Sequence, residues 1–391
     1  MRYRKRRKFI PGRLFGLLSA LILFAICVAT FFSNRTLMAD AGRWIAIVSA
    51  AVTMPDESII IIKDRFRAEI YGDEDLPGEP PETRPIPRVP SKQANPEASQ
   101  GKSDGDGESS NSKTARVPRI PSEYAAPLLS EDFSGYSGGT LIEHEAGYIR
   151  NDTWYDAEDL GEILKKPPNL QFFSGNEPQV LIIHTHATEA FEKYDTDRYD
   201  IRNTWRSTDN KQNMVAVGAA LEEVLEGYGI GVIHDTTQHD YPSYNGSYER
   251  SAATIREYLK EYPGIKIVLD LHRDAMQRDD AIVKPVTVID GRKAAQVMII
   301  AGCDDGSMNM SEWRQNLRFA ASFQSYMEQG FPGLTRPVFL CYRKYNMDLT
   351  PGSLLLEFGS NANTLDEAVY AAEMAGHALA AFIMERTGMV E

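Results

Sequence analysis

Cysteine is scarce in this chain, with three in 391 residues. Cys27 falls in an apolar N-terminal run, which leaves Cys303 and Cys341, too few for a disulfide framework. Neither belongs to a CxxC pair of the kind that ligates a metal. An excess of positive charge is missing too. The net charge is −13, and because residues 1–13 carry seven Lys and Arg with no acid, the remainder sums to −20. Nucleic-acid binding rests on phosphate neutralisation by Lys and Arg, so an exterior this acidic argues against nucleic acid as a partner. No internal repeat is apparent.

What is present begins at the N-terminus. Residues 14–32 (LFGLLSALILFAICVATFF) run for 19 positions without a charge, directly after the basic residues 1–13. That length spans a hydrocarbon core as a helix. The basic flank predicts a cytoplasmic N-terminus and a single-pass membrane protein with its C-terminal bulk extracytoplasmic. A cleaved signal peptide has a shorter apolar core and a small-residue cleavage site, which Phe31, Phe32 and Arg35 do not provide. Residues 33–72 form a juxtamembrane region with two short apolar stretches. Residues 73–120 are rich in Pro, Glu, Ser, Gly and Lys and too poor in apolar residues to offset the entropy of ordering, so they read as a disordered linker.

Residues 121–391 read as one α/β domain. Strand-like runs at 179–184, 230–234 and 265–271 alternate with helical patterns at 210–226 and 247–261, the order expected of a mostly parallel twisted sheet flanked by helices. Two β-rich runs around Asp290-Gly291 predict a β-hairpin insert within 284–301. A helix at 311–328, strands at 335–342 and 353–358 and a helix at 365–386 complete the unit.

Three segments carry the chemistry: HTHATE at 184–189, LHRD at 271–274 and LLLEFGSN at 354–361. Each follows an apolar run and sets a histidine or carboxylate at its end, where open α/β sheets bind ligands. Two imidazoles and a carboxylate suit zinc. His184 and His186 are two apart, so along an extended chain both face one side. Both could approach one ion, or one could bind while the other orients a ligand or substrate. His272 ends its own strand, and Asp270 shares its side. Glu189 and Asp209 compete for the carboxylate ligand, although Asp before a helix is also an ordinary cap. Glu357 closes an apolar strand, where desolvation favours its protonated form and suits proton transfer. Arg273 is the expected contact for a substrate carboxylate. The tyrosine-rich loop 241–248 (YPSYNGSY) could line a groove for a sugar or peptide. His144, His234, His239 and His377 read as packing or surface residues.

In VLIIHTHATEAF, LDLHRDA and YNMDLTPGSLLLEFGSNANTLDEA the chain resembles the stage II sporulation protein P family, over roughly residues 175–388. The apolar N-terminal segment and long linker are similar as well. The resemblance implies a fold like that of the zinc-dependent N-acetylmuramoyl-L-alanine amidases and a Zn2+ cofactor. It maps His272 onto the later zinc histidine and Glu357 onto the catalytic glutamate of those enzymes, and it implies His184, which directly ends its strand, as the first ligand, His186 as the alternate or an orienting neighbour, and Glu189, inside the family's motif, as the carboxylate ligand. It implies cleavage of peptidoglycan at the amide between N-acetylmuramic acid and L-alanine, with peptide cross-links as a further target, during engulfment. It also implies partnership with stage II sporulation protein D and other engulfment proteins. A zinc metallopeptidase of other specificity and an inactive wall-binding module are the competing readings; product chemistry separates the first, and Glu357→Gln the second.

Overall fold

The computed structural model describes Val117, Arg119–Ser134 and Thr140–Thr387. The expected segments 1–13, 14–32 and 33–72, and nearly all of the 73–120 linker, lie outside these residues. The expected single-pass membrane placement with an extracytoplasmic bulk is corrected here. Among the described residues no helix is long and apolar enough to cross a membrane, and the 14–32 run that carried the expectation is not among them.

The main sheet has eight strands. β2 (Thr140–His144) and β3 (Gly147–Asp152) form a hairpin at one edge. They are followed by β12 (Val338–Cys341), β11 (Val297–Gly302), β13 (Ser353–Ser360), β7 (Ile267–Asp274), β4 (Pro178–Ile183) and β6 (Gly231–His234). β13, β7, β4 and β6 are mutually parallel, as are β11, β12 and β3, but β11 meets β13 antiparallel. The sheet is therefore mostly parallel, in two blocks of opposite direction. Its central strands read as continuous apolar runs because both faces are covered, and every residue of β11 and β13 is buried.

Among the described residues five α-helices flank these strands: α1 (Ala157–Leu164), α2 (Met214–Gly227), α3 (Ser247–Glu261), α4 (Trp313–Gly330) and α5 (Leu365–Thr387). α2 starts where the Asn213 side chain accepts a hydrogen bond from the Val215 amide, an N-cap. Its buried Met214, Val217, Leu221 and Leu225 recur at helical spacing. α5 packs against it through an alanine-rich face, where a Cβ on Gly376 would stand 2.9 Å from Val224. On the face of β4 that carries Leu181 and Ile183, Ile255 of α3 closes a core with Ile265 and Val268.

A second sheet is built from β1 (Ala125–Glu131), β5 (Arg198–Asp200), β8 (Gln277–Arg278), β9 (Ala281–Ile289) and β10 (Arg292–Ala295). β9 and β10 are the expected hairpin, turned by Asp290 and Gly291, both at positive φ as a tight hairpin turn requires. The hairpin is part of this sheet rather than an appendage. Gln296 alone separates β10 from β11, so the chain changes sheets in one residue. That residue is fully buried. Its side chain accepts from Phe133 N (2.7 Å) and donates to Asp132 Oδ1 (2.9 Å) and Gly333 O (3.0 Å), and its carbonyl accepts from Gly359 N (3.0 Å).

Candidate active site

β4, β7 and β13 lie side by side and run in the same direction, so all three motifs reach one end of the sheet. Glu357 and His272 are register partners across β13 and β7. After Ile183 the chain leaves the sheet in a turn that the Glu189 amide closes on the His186 carbonyl (3.1 Å). The turn sets His186 Nδ1 3.6 Å from Glu189 Oε1, while His272 Nδ1 lies 3.6 Å from Glu189 Oε2. His186, Glu189 and His272 each offer one ligand atom, all within 4.8 Å of one another. They are 1%, 0% and 0% exposed, and Glu357 is 2% exposed.

This donor set fits a divalent ion. Two atoms about 2.1 Å from a tetrahedral zinc stand about 3.4 Å apart, close to the separations seen here. Glu189 Oε1 and His272 Nδ1 are buried and make no hydrogen bond, a state native proteins tolerate rarely and mostly at functional positions.

The charges around the cluster are fixed by its neighbours. Burial pushes the Glu189 carboxyl up, but Arg273, His186, His272 and Arg206 together hold it well below the usual carboxylate range. Burial acts against charge on His272 as well, and Asp270 and Glu189 overcome it, raising the imidazole well above its ordinary value. Asp270 orients that ring. Its Oδ1 stands 3.0 Å from His272 Nε2 and accepts the Thr185 amide at 2.8 Å, and its Oδ2 accepts the Thr185 hydroxyl at 2.6 Å. Nδ1 of His272 is thus the atom left facing Glu189, an arrangement in which an outer carboxylate sets a ligand's orientation.

His184 is not part of this cluster. β4 ends at Ile183, so the alternation expected to align the two histidines does not extend to them. The His184 ring turns instead to His234 (Nε2 to Nε2, 2.8 Å) and the Leu271 carbonyl (3.3 Å). Burial first, and His234 second, lower its pKa to about 3, which leaves it neutral. His234 in turn bonds Glu222 at 2.9 Å. Gly218 on α2 makes room for the pair: a Cβ there would come within 2.5 Å of His234 Nε2 and 2.6 Å of His184 Nε2.

Arg273 is also placed otherwise than expected. It is 5% exposed, and its guanidinium donates to the carbonyls of Ala190 (3.1 Å), Trp205 (3.2 Å) and Asp274 (3.4 Å). Its amide donates to Glu189 Oε2 at 3.2 Å. It supports Glu189 from behind and has no free face for a substrate carboxylate. Asp209 is exposed and accepts from Lys211 N and Gln212 Nε2 in a local turn, and it is not among the three clustered residues. Cys303 and Cys341 are both buried and free.

Three residues at the cluster had little sequence signal. Tyr244 stacks on His186 with ring centroids 4.6 Å apart, and Tyr248 lies edge-on to His186 at 5.3 Å and parallel to His272 at 6.4 Å. Arg206 reaches Glu189 Oε1 at 3.7 Å. The tyrosine-rich composition of 241–248 pointed to the loop but not to its contact with the histidines; nothing local marked Arg206.

The fold and its site define a class: an α/β protein with a buried two-histidine, one-glutamate cluster able to hold a divalent ion, and a further glutamate beside it. Within that class the chain belongs to the stage II sporulation protein P family, whose model matches residues 79–380. The stage II sporulation protein P of Bacillus subtilis (strain 168) is 29% identical over 225 residues, 54% of this chain and 52% of that protein. The chain thus spans about half the length of the curated relative it matches. Among solved structures, the apo N-acetylmuramyl-L-alanine amidase of Mycobacterium abscessus is 11% identical, with a TM-score of 0.33 over 54% of this chain and 99% of that one. The amidase of Clostridioides difficile in complex with the GerS lipoprotein is 12% identical, with a TM-score of 0.34 over 54% and 100%. Likeness at this level carries no argument about chemistry.

Proposed function

We propose that the protein is a zinc-dependent peptidoglycan hydrolase that cleaves the amide between the lactyl group of N-acetylmuramic acid and L-alanine, acting in sporulation during engulfment. The observation that carries this reading is the meeting of His186, Glu189 and His272 beside Glu357. Membership of the stage II sporulation protein P family supports the sporulation setting. The first three residues would hold the ion. When bound, zinc supplies Lewis-acid polarisation of the scissile carbonyl and acidifies water. The remaining steps belong to the chain. Glu357, buried and in register with His272, takes a proton from the attacking water and returns it to the leaving amine. Asp270 keeps the His272 ring in place, and Arg273 keeps Glu189 ionised. Cross-link cleavage is a second activity of the same site, and the transglycosylase stage II sporulation protein D and other engulfment proteins are the partners this reading implies.

The test is digestion of purified peptidoglycan by the full chain, with product masses read by mass spectrometry, for wild type, Glu357→Gln and chelator-treated protein. Intact stem peptides released by wild type alone are expected. Release that survives chelation, or products of another bond class only, would overturn the amidase assignment.

A further inference from the structure

Two consecutive residues of the turn between β12 and β13 hold backbone angles that side chains other than glycine adopt rarely. Tyr345 has φ +40° and Asn346 φ +58°. Asparagine tolerates the left-handed region better than a bulky ring does, and strain of this kind gathers at functional positions. A local bond closes the turn, from Met347 N to the Lys344 carbonyl (2.7 Å). The two side chains reach further, and both lead to His272. The asparagine arm is a line of hydrogen bonds with a fixed direction. Asn346 Nδ2 donates to the Tyr248 carbonyl and to Ser251 Oγ, both at 3.0 Å. A carbonyl only accepts, which settles the orientation of the amide. Ser251 Oγ lies 2.6 Å from Thr185 Oγ1, which lies 2.6 Å from Asp270 Oδ2. An ionised carboxylate has no proton to give, so Thr185 donates to Asp270 and Ser251 donates to Thr185. Asp270 turns its other oxygen to His272 Nε2 at 3.0 Å. Ser251, Thr185, Asp270 and His272 are all buried, so water does not compete for these bonds. The tyrosine arm is packing. Tyr345 stacks on Tyr248 with ring centroids 5.2 Å apart, and Tyr248 lies parallel to His272 at 6.4 Å.

We propose that Tyr345 and Asn346 are positioning residues for His272, and that the strained turn is kept because it delivers both arms to one imidazole. The inference rests on reading His186, Glu189 and His272 as a metal site. The hydrogen-bonded arm feeds donors toward Asp270, keeps it a pure acceptor and so keeps the proton of His272 on Nε2. That leaves Nδ1, the atom facing Glu189, as the ligand atom. The packed arm limits rotation of the ring about its own bonds, and Tyr248 extends that restraint to His186, which it meets edge-on at 5.3 Å. A relaxed turn at 345–346 would move the Tyr345 ring and the Asn346 amide together.

The test measures the zinc affinity of the full chain, by competition with a chelator of known affinity, in wild type, Tyr345→Gly, Tyr345→Phe, Asn346→Gly and Ser251→Ala. Glycine accepts positive φ, so the two glycine variants remove a side chain without straining the turn. These two and Ser251→Ala are expected to bind zinc about tenfold more weakly, the scale for losing a partner that orients a ligand. They should also shift the visible absorption of the cobalt(II)-loaded chain, which reports ligand geometry. Tyr345→Phe keeps the ring and should match wild type in both. Wild-type affinity and absorption in the two glycine variants would overturn the positioning role. So would weaker binding with the cobalt absorption unmoved, the mark of a general loosening. The NMR signals of the His272 ring in metal-free protein give an independent readout. One sharp set in wild type, broadened or doubled in the glycine variants, supports the role, and unchanged signals reject it. Should wild type take up no zinc, the metal reading fails, and the ring signals still decide whether the turn positions His272.

Discussion

Lys284 and Glu189 are both fully buried charges, and the chain treats them differently. Lys284, on β9, sits between Asp195 Oδ1 (2.7 Å) and Glu367 Oε1 (3.1 Å). Glu367 Oε2 accepts from Asn363 Nδ2 and Thr364 N, both at 3.0 Å, and Asn363 also donates to the Pro285 carbonyl at 3.1 Å. That network is completed by the protein itself and ties the loop after β13 to β9. Around Glu189 the nearest imidazole nitrogens stop at 3.6 Å, with no hydrogen bond to Glu189 Oε1 or His272 Nδ1. A buried charge whose partners are in place is architecture; one whose neighbouring imidazoles stand a ligand's width apart is a candidate site.

The comparison breaks first, and most visibly, at the site. His186→Ala or His272→Ala should abolish zinc uptake, measured as metal content of the purified chain against about one ion per chain in wild type. His184→Ala should keep its zinc; loss of the ion there would return His184 to the ligand set. Glu357→Gln should retain the metal and lose amide cleavage by on the order of 10³-fold, the scale of a removed general acid–base. At the other cluster, Lys284→Met strips the contacts to buried Glu367 and to exposed Asp195 and should cost about 3 kcal/mol in denaturant unfolding, since it leaves the buried Glu367 charge without its cation. Its zinc content should not change. A smaller effect sharpens the same contrast. Asp270→Asn should weaken zinc affinity about tenfold to a hundredfold, as loss of an orienting partner does, read by competition with a chelator of known affinity. Smallest is Gly218→Ala, whose Cβ meets the His184–His234 pair and should cost about 1–2 kcal/mol of stability by overpacking, with metal uptake retained.

Much of the fold was legible because it is local. β4, β6 and β7, with α2 and α3 between them, announce themselves as apolar runs and helical periods, and Asp290-Gly291 marks its hairpin. The second sheet was not legible. β1 pairs with β9 through Leu128↔Ile282, a long-range contact that no window of sequence contains. At the site, the cluster brings together His272 and Glu189, two residues the motifs offered, and Glu357 lies in register with His272. The choice between His184 and His186 turned on one residue of strand length. A strand that ends at Ile183, one residue short of His184, sends the two rings to different neighbours. Arg273 shows the remaining limit. An arginine directly after a motif histidine reads as a substrate contact, and only the tertiary fold shows three carbonyls already occupying its guanidinium.

One residue of connection between β10 and β11 has a mechanical consequence. Gln296 leaves the chain no slack between the two sheets, and its carbonyl grips the amide of Gly359, two positions past Glu357. A tug on either sheet therefore arrives at β13, the strand of Glu357, within one peptide unit. The join acts as a rivet, not a tether, and the smaller sheet cannot peel away without pulling Glu357 out of line.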